Sequence, residues 1–207
     1  EPGFDFLELR LGSGEVLDGD PIMAICAEEM LRKKSLNKNT VVATVMSNIG
    51  LEIFLKERKI KMVRAPVGDR YVVESMRAGG YNFGGEQSGH LIFLDHAKTG
   101  DGVLAALQIL AVMMESGKRI ADLGKAMVTY PQMLVNVRLK HKVPIEDMRG
   151  FQKAKAEFEK KMGNRGRIVV RYSGTEPVLR IMAEGESQAE IDRIVKALAE
   201  KARTEIL

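Results

Sequence analysis

Apolar and polar positions follow two periods along the 207-residue chain. The run Thr40-Val41-Val42-Ala43-Thr44-Val45-Met46 is continuous and rich in β-branched residues, the pattern of a strand covered on both faces. Shorter apolar runs at residues 60–63, 81–83 and 91–94 read as further strands. Helical spacing fills the gaps. Helices are expected over 21–34, from a Ser47-Asn48 cap through 58, over 71–78 behind Gly68-Asp69-Arg70, over 101–116, and briefly near 120–127. Asp20 reads as the N-cap of the first helix, with Pro21 at its opening position. Strands alternating with helices argue for a parallel or mixed, helix-covered α/β sheet over residues 12–127.

The character changes at Tyr130-Pro131, and 128–133 reads as a hinge whose freedom Pro131 limits. Residues 134–139 then alternate in the manner of a half-exposed strand. A helix rich in lysine and glutamate follows over 145–162, then strands over 167–171 and 178–183, and a closing helix over 188–204. This β-α-β-β-α order predicts a small α+β domain on an antiparallel sheet over 134–207.

Composition adds bounds rather than direction. Apolar residues are 45% of the chain and charged residues 29%, a globular balance that supports real cores. Thirty-two basic residues against 28 acidic ones leave a net charge of +4, and the two signs interleave. The pI near 9.1 prompts a nucleic-acid reading, but basic clustering and interleaved aromatics are missing, so no nucleic-acid partner is expected. Cys26, the single cysteine, sits in an apolar run and reads as a buried thiol. No apolar stretch approaches the roughly 20 residues of a membrane span. No signal peptide opens the sequence, so no membrane partner and a cytoplasmic location are expected.

Three loops carry candidate chemistry. In Gly84-Gly85-Glu86-Gln87-Ser88-Gly89-His90, glycines let the backbone approach a ligand. Glu86 could accept hydrogen bonds from two sugar hydroxyls, Ser88 could donate or accept, and His90 could donate to phosphate or assist proton transfer. The alternative is a polar turn with a glycine bulge. In Arg171-Tyr172-Ser173-Gly174-Thr175-Glu176-Pro177, an arginine fork, two hydroxyls and a glycine make either an anion nest or a plain hairpin. Arg180 lies beyond it on the next strand. At Val67-Gly68-Asp69-Arg70, a helix start beside an arginine suits an anion, although Asp69 could equally serve only as a cap. Asp18-Gly19-Asp20 offers too few ligands for a metal and reads as a turn with a helix cap.

Taken in order and spacing, these segments resemble the α-D-phosphohexomutase family. The resemblance rests on Leu17 to Asp20, Thr44 to Asn48, Val67 to Val72, Gly84 to His90, Thr99-Gly100-Asp101-Gly102, and Arg171 to Pro177. It covers nearly the whole chain after residue 12. It implies an α/β third domain followed by a TATA-box-binding-protein-like fourth domain. The family moves phosphate between the 6- and 1-positions of a hexose phosphate through a bisphosphorylated intermediate. By the resemblance, Gly85, Glu86 and Ser88 would read the sugar, with Asp69, Arg70 and a supporting His90 beside them. Arg171, Ser173, Gly174 and Thr175 would clamp the non-reacting phosphate; Arg180 is a further substrate-binding candidate, although alternation along its strand could instead point it to solvent. Gln87 is similar to the branch that converts glucosamine 6-phosphate to glucosamine 1-phosphate, a step toward peptidoglycan precursors. Phosphomannomutase and phosphoglucomutase relatives tend to carry methionine there.

The resemblance also implies partners and a cofactor: a hexosamine phosphate, the two preceding domains of the same enzyme, a possible homo-oligomer, and Mg2+ in the full-length enzyme. The phosphoserine loop has no counterpart here. The aspartate-rich metal loop would fall on Glu1-Pro2-Gly3-Phe4-Asp5-Phe6, where only Asp5 keeps its carboxylate. Residues 1–11 therefore read as a domain-edge remnant or foreign sequence, no metal is expected on this chain, and the chain alone is expected to be inert. A phosphomannomutase/phosphoglucomutase portion and a non-catalytic sugar-phosphate binding module are the competing readings.

Overall fold

The structure, a computed structural model, describes residues 5–138, 143–174 and 176–206. Two compact units divide the chain, Glu1–Thr129 and Tyr130–Leu207.

The first unit is built around β3 (Thr40–Thr44), of which every residue is buried. A small hairpin, β1 (Leu9–Arg10) with β2 (Val16–Leu17), precedes it. The main sheet runs β4 (Lys61–Ala65), β3, β5 (Phe83–Gly85), β6 (Leu91–Phe93), with β4 and β5 both parallel to β3 and β6 antiparallel at the edge. Side chains of β3 alternate between two cores, as strand geometry requires. Val41 and Ala43 join a cluster with α1 (Gly19–Arg32), α2 (Ile49–Glu57) and α4 (Gly102–Ser116). Val42 points the other way, into a cluster with Val72, Val73 and Met76 of α3 (Asp69–Gly79). A short α5 (Ile120–Leu123) and a 3-10 turn over Gly124–Ala126 end the unit.

One sequence expectation needs correction here. The N-cap of α1 is Asp18, whose carboxylate accepts from the Asp20 amide at 3.0 Å; Pro21 is the third helical residue, where its missing N–H is still harmless. The described part of residues 1–11 is also built into the unit, since Leu7 and Leu9 pack on its main core. A two-residue strand pair carries no periodicity that a sequence could display.

The second unit has the antiparallel order β7 (Gln132–Arg138), β9 (Val178–Gly185), β8 (Gly166–Tyr172). Helices α6 (Arg149–Met162) and α7 (Gln188–Ile206) cover one face of it. Val137, Leu179, Ile181, Ala183 and Ile168 project into that core, which also holds the fully buried Phe151 and Leu198. The intervening positions of all three strands point to the opposite face. Leu139, the expected last residue of β7, lies outside the described residues.

Cys26 is buried in the first core, and desolvation pushes its thiol up to about 12. The native chain is therefore expected to resist a thiol reagent at pH 8 and to react once, completely, after unfolding in guanidinium. Rapid labelling of folded protein would show that the α1 core opens.

Candidate functional site

Three connections leave the carboxyl ends of parallel strands in the first unit, the edge at which open α/β sheets take ligands. They are residues 45–48 after β3, 66–68 after β4 and 86–90 after β5. The chain reverses direction across the sheet between β3 and β5, so the first and third connections flank the switch point.

The Gly84–His90 segment is a hairpin loop held from several sides. Gly85 pairs with Leu91, and the Glu86 amide donates to the His90 carbonyl at 2.9 Å. The Gln87 carbonyl accepts from the Gly19 amide at 2.8 Å, and the Gly89 carbonyl from the Leu7 amide at 2.9 Å. A Cβ at Gly19 would collide with the Glu86 carbonyl, so only glycine lets α1 come this close. Asp18 also hydrogen-bonds the Gln87 side chain; burial pushes its carboxyl up, against the pull of that bond and of the Asp20 amide.

Glu86 faces the start of α3. One carboxylate oxygen, Oε1, accepts from the Gly68 amide at 2.9 Å, and Gly68 adopts φ +125°, a conformation that suits glycine. The helix N-terminus favours the negative charge. Oε2 has no partner among the described residues, leaving an acceptor for a hydroxyl. His90 is mostly buried, and its Nε2 has no hydrogen-bond partner among the described residues. Asp69 Oδ2 stands 3.9 Å from that nitrogen, too far for a hydrogen bond. Gly100 packs against the imidazole so tightly that a Cβ there would overlap the ring. Ser88 is exposed. Arg70, 79% exposed, pairs with Glu74 one turn along its own helix at 2.7 Å.

Sequence reasoning missed the support beneath the 45–48 connection. Asp20 is fully buried, and its Oδ2 accepts from the Asn48 amide at 2.7 Å, tying the start of α1 to the start of α2. Arg64 donates from Nη1 to the carbonyls of Thr44, at 3.2 Å, and Ser47, at 3.0 Å, while Glu52 holds its other edge. A charged residue in a strand's last turn gives no signal of such a role.

The loop that follows Arg171 lies in the second unit between β8 and β9. Arg171 and Arg180 stand directly opposite each other across these strands. Both Nε atoms are buried without a hydrogen-bond partner among the described residues. Burial pushes the Arg171 guanidinium down from its ordinary value, and the charge of Arg180 adds to this. The contrast lies along the same face. Arg167 is opposite the fully buried Glu184 and ion-pairs with it, and Gln132 completes that carboxylate at 2.9 Å. Ser173 is buried, its amide donating to the Val178 carbonyl at 2.8 Å, which keeps Gly174 at the tip of the loop. Thr175 lies outside the described residues.

Among the described residues no three His, Cys, Asp or Glu side chains gather in a way that could hold a metal ion, so no step is assigned here to Mg2+. No described helix is long and apolar enough to cross a membrane.

Comparison with known proteins agrees with both units. The family profile for phosphoglucomutase/phosphomannomutase alpha/beta/alpha domain III matches residues 18–130, and that for the C-terminal domain matches residues 134–201. A phosphoglucosamine mutase of Nitratidesulfovibrio vulgaris is 53% identical over 187 residues, 90% of this chain and 42% of the relative. One from Desulfotalea psychrophila is 54% identical over 190 residues, 92% of this chain and 42% of the relative. The chain thus spans about two fifths of the length of these relatives. The fold is similar to that of Aspergillus fumigatus N-acetylphosphoglucosamine mutase in complex with GlcNAc-6P and magnesium. The TM-score is 0.77 at 19% identity, over 97% of this chain and 46% of that one.

Replacing Asp20 with alanine is expected to cost about 1–3 kcal/mol, because the Asn48 amide is left buried without its acceptor. Urea unfolding measures this. A loss under about 0.5 kcal/mol, the range of an ordinary surface change, would show that the bond does not organise the edge.

Proposed function

The chain belongs to the phosphoglucomutase/phosphomannomutase family, and we propose that it is the carboxyl-terminal part of a member interconverting glucosamine 6-phosphate and glucosamine 1-phosphate. The observation that carries this reading is the Arg171–Arg180 pair. Two guanidinium groups stand opposite each other, and among the described residues their buried Nε atoms have no hydrogen-bond partner and neither arginine takes part in an ion pair. Such a pair calls for a polyanion, and a phosphate offers tetrahedral oxygens that two planar forks can share. Ser173 and the Gly174 backbone supply shorter-range donors.

The first unit supplies the sugar contacts. Glu86 Oε2 and Ser88 present groups suited to neighbouring hydroxyls, or to the ammonium of an amino sugar in the case of Glu86. His90 offers an unpartnered nitrogen at the same edge, able to hold or pass a proton. Asp69 and Arg70 border the edge from the start of α3. The 53–54% identity to phosphoglucosamine mutases supports the amino-sugar branch.

Phosphoryl transfer also needs a nucleophile and charge neutralisation, which positioning alone does not replace. In this reading the preceding domains of a longer enzyme provide both, magnesium included, and residues 128–133 act as the hinge. The enzyme works in the cytoplasm on small-molecule sugar phosphates.

Calorimetric titration tests the core of this. The chain is expected to bind glucosamine 6-phosphate, and Arg171→Ala to weaken binding roughly 10- to 100-fold, the equivalent of about 1.5–3 kcal/mol for a charge-assisted contact. Equal affinity in both proteins would remove the clamp. The chain alone is expected to show no mutase turnover, and a measurable rate would overturn the assignment of catalysis to the other domains.

A further inference from the structure

The arginines of the second unit extend past the loop. β9 is the central strand, so Arg180 has Arg171 opposite it on one side and Asn136 on the other. Arg138 lies one pleat further along β7, opposite Val178. Residues 136, 138, 178 and 180 therefore share the face turned away from α6 and α7. These four residues, with Glu176 and with Arg203 near the end of α7, line a cavity of about 390 Å³.

Its charge is one-sided. Several arginines elsewhere, such as Arg32, Arg58, Arg64 and Arg167, are matched to glutamates. Among the described residues, Arg138, Arg180 and Arg203 take part in no ion pair. Glu176 offsets one of the three charges but is paired with none of them. The cavity therefore holds an excess of guanidinium donors, an amide from Asn136, and a volume at the small end of ligand sites, which run to roughly 300–1,000 Å³.

We propose that this cavity is a second anion subsite, adjacent to the Arg171 loop and sharing Arg180 with it, that binds a phosphate dianion. Arg138 and Arg203 grip it, and Asn136 donates to a remaining oxygen. The ligand is either free phosphate or the phosphate of a small ester. The subsite does not depend on what Arg171 binds, so it stands or falls separately from the sugar-phosphate reading.

The test is calorimetric titration of the 207-residue chain with inorganic phosphate and, separately, with glycerol phosphate. The proteins are wild type, Arg171→Ala and the double variant Arg138→Ala/Arg203→Ala, each checked for folding by circular dichroism. Two phosphates per wild-type chain are expected. The double variant should lose one of them, with at least a tenfold fall in that affinity, and keep glucosamine 6-phosphate binding within about threefold. Arg171→Ala should retain the phosphate that the double variant loses. Binding of glycerol phosphate at the retained site identifies an ester, and its failure there identifies free phosphate. Unchanged phosphate binding in the double variant would overturn the proposal, as would loss of all phosphate binding in Arg171→Ala. If both variants keep both phosphates, the clamp and this subsite fail together. If only the sugar phosphate fails to bind, the clamp reading alone is lost. A circular dichroism melt matching wild type separates loss of the site from loss of the fold, and the single variant Arg203→Ala, near the end of α7, repeats the test with less disturbance.

Discussion

The first unit hangs on the burial of one five-residue strand. Val41, Val42 and Ala43 have no exposed surface, and β3 is hydrogen-bonded along both edges. A strand so enclosed cannot slip, because moving by one residue would exchange its two apolar faces. Its parallel partners are then fixed in register, and their carboxyl ends must emerge on one edge. Polar groups brought to that edge are buried with it, and they survive by bonding each other: Asp20 with the Asn48 amide, Asn48 with the Gly50 amide. The 86–90 loop inherits this rigidity from three elements, through the amides of Gly19, Leu7 and Gly68. It is a surface loop that is held before any ligand arrives, and preorganisation of this kind removes part of the cost of binding.

The second unit follows the opposite logic. Glu184 neutralises Arg167 and is completed by Gln132, so that end of the sheet is electrostatically closed. Two pleats along the same strands, Arg180 faces Arg171, and among the described residues neither takes part in an ion pair. Like charges opposite each other in a sheet are destabilising, and partial burial increases the penalty by reducing solvent screening. An anion bound there recovers the energy that the empty sheet forgoes.

Most of this architecture was legible in sequence because long elements announce themselves. The β-branched run of β3, the helical spacing of α4 and the alternation in β7 each reflect burial on a repeating face. The hairpin of β1 and β2 is too short to show a period, and it went unread. Asp18 rather than Asp20 caps α1 because both residues suit a cap, and only the fold decides that Asp20 is needed by Asn48. The loops of the site were visible as clusters of glycine, hydroxyl and charge. Their partners were not, since Gly68 reaches Glu86 across 18 residues and Arg180 meets Arg171 only through strand register. Arg138 and Arg203 offered no local pattern at all; their nearness is a product of the sheet and of where α7 ends.

On the proposed function the two units divide recognition by physical type. Hydrogen bonds to hydroxyls are directional and nearly neutral in net energy against water, so a rigid loop built on Glu86 and Ser88 discriminates between sugars better than it attracts them. Guanidinium contacts to a phosphate dianion are stronger and less particular about what lies beyond the ester oxygen. On the proposed function, affinity would be set by the second unit and choice of sugar by the first. If the proposed function holds, sequence differences at Gln87, whose carbonyl and side chain are both held by the start of α1, would alter specificity without touching the phosphate, whereas changes at Arg171 or Arg180 would weaken all sugar phosphates alike.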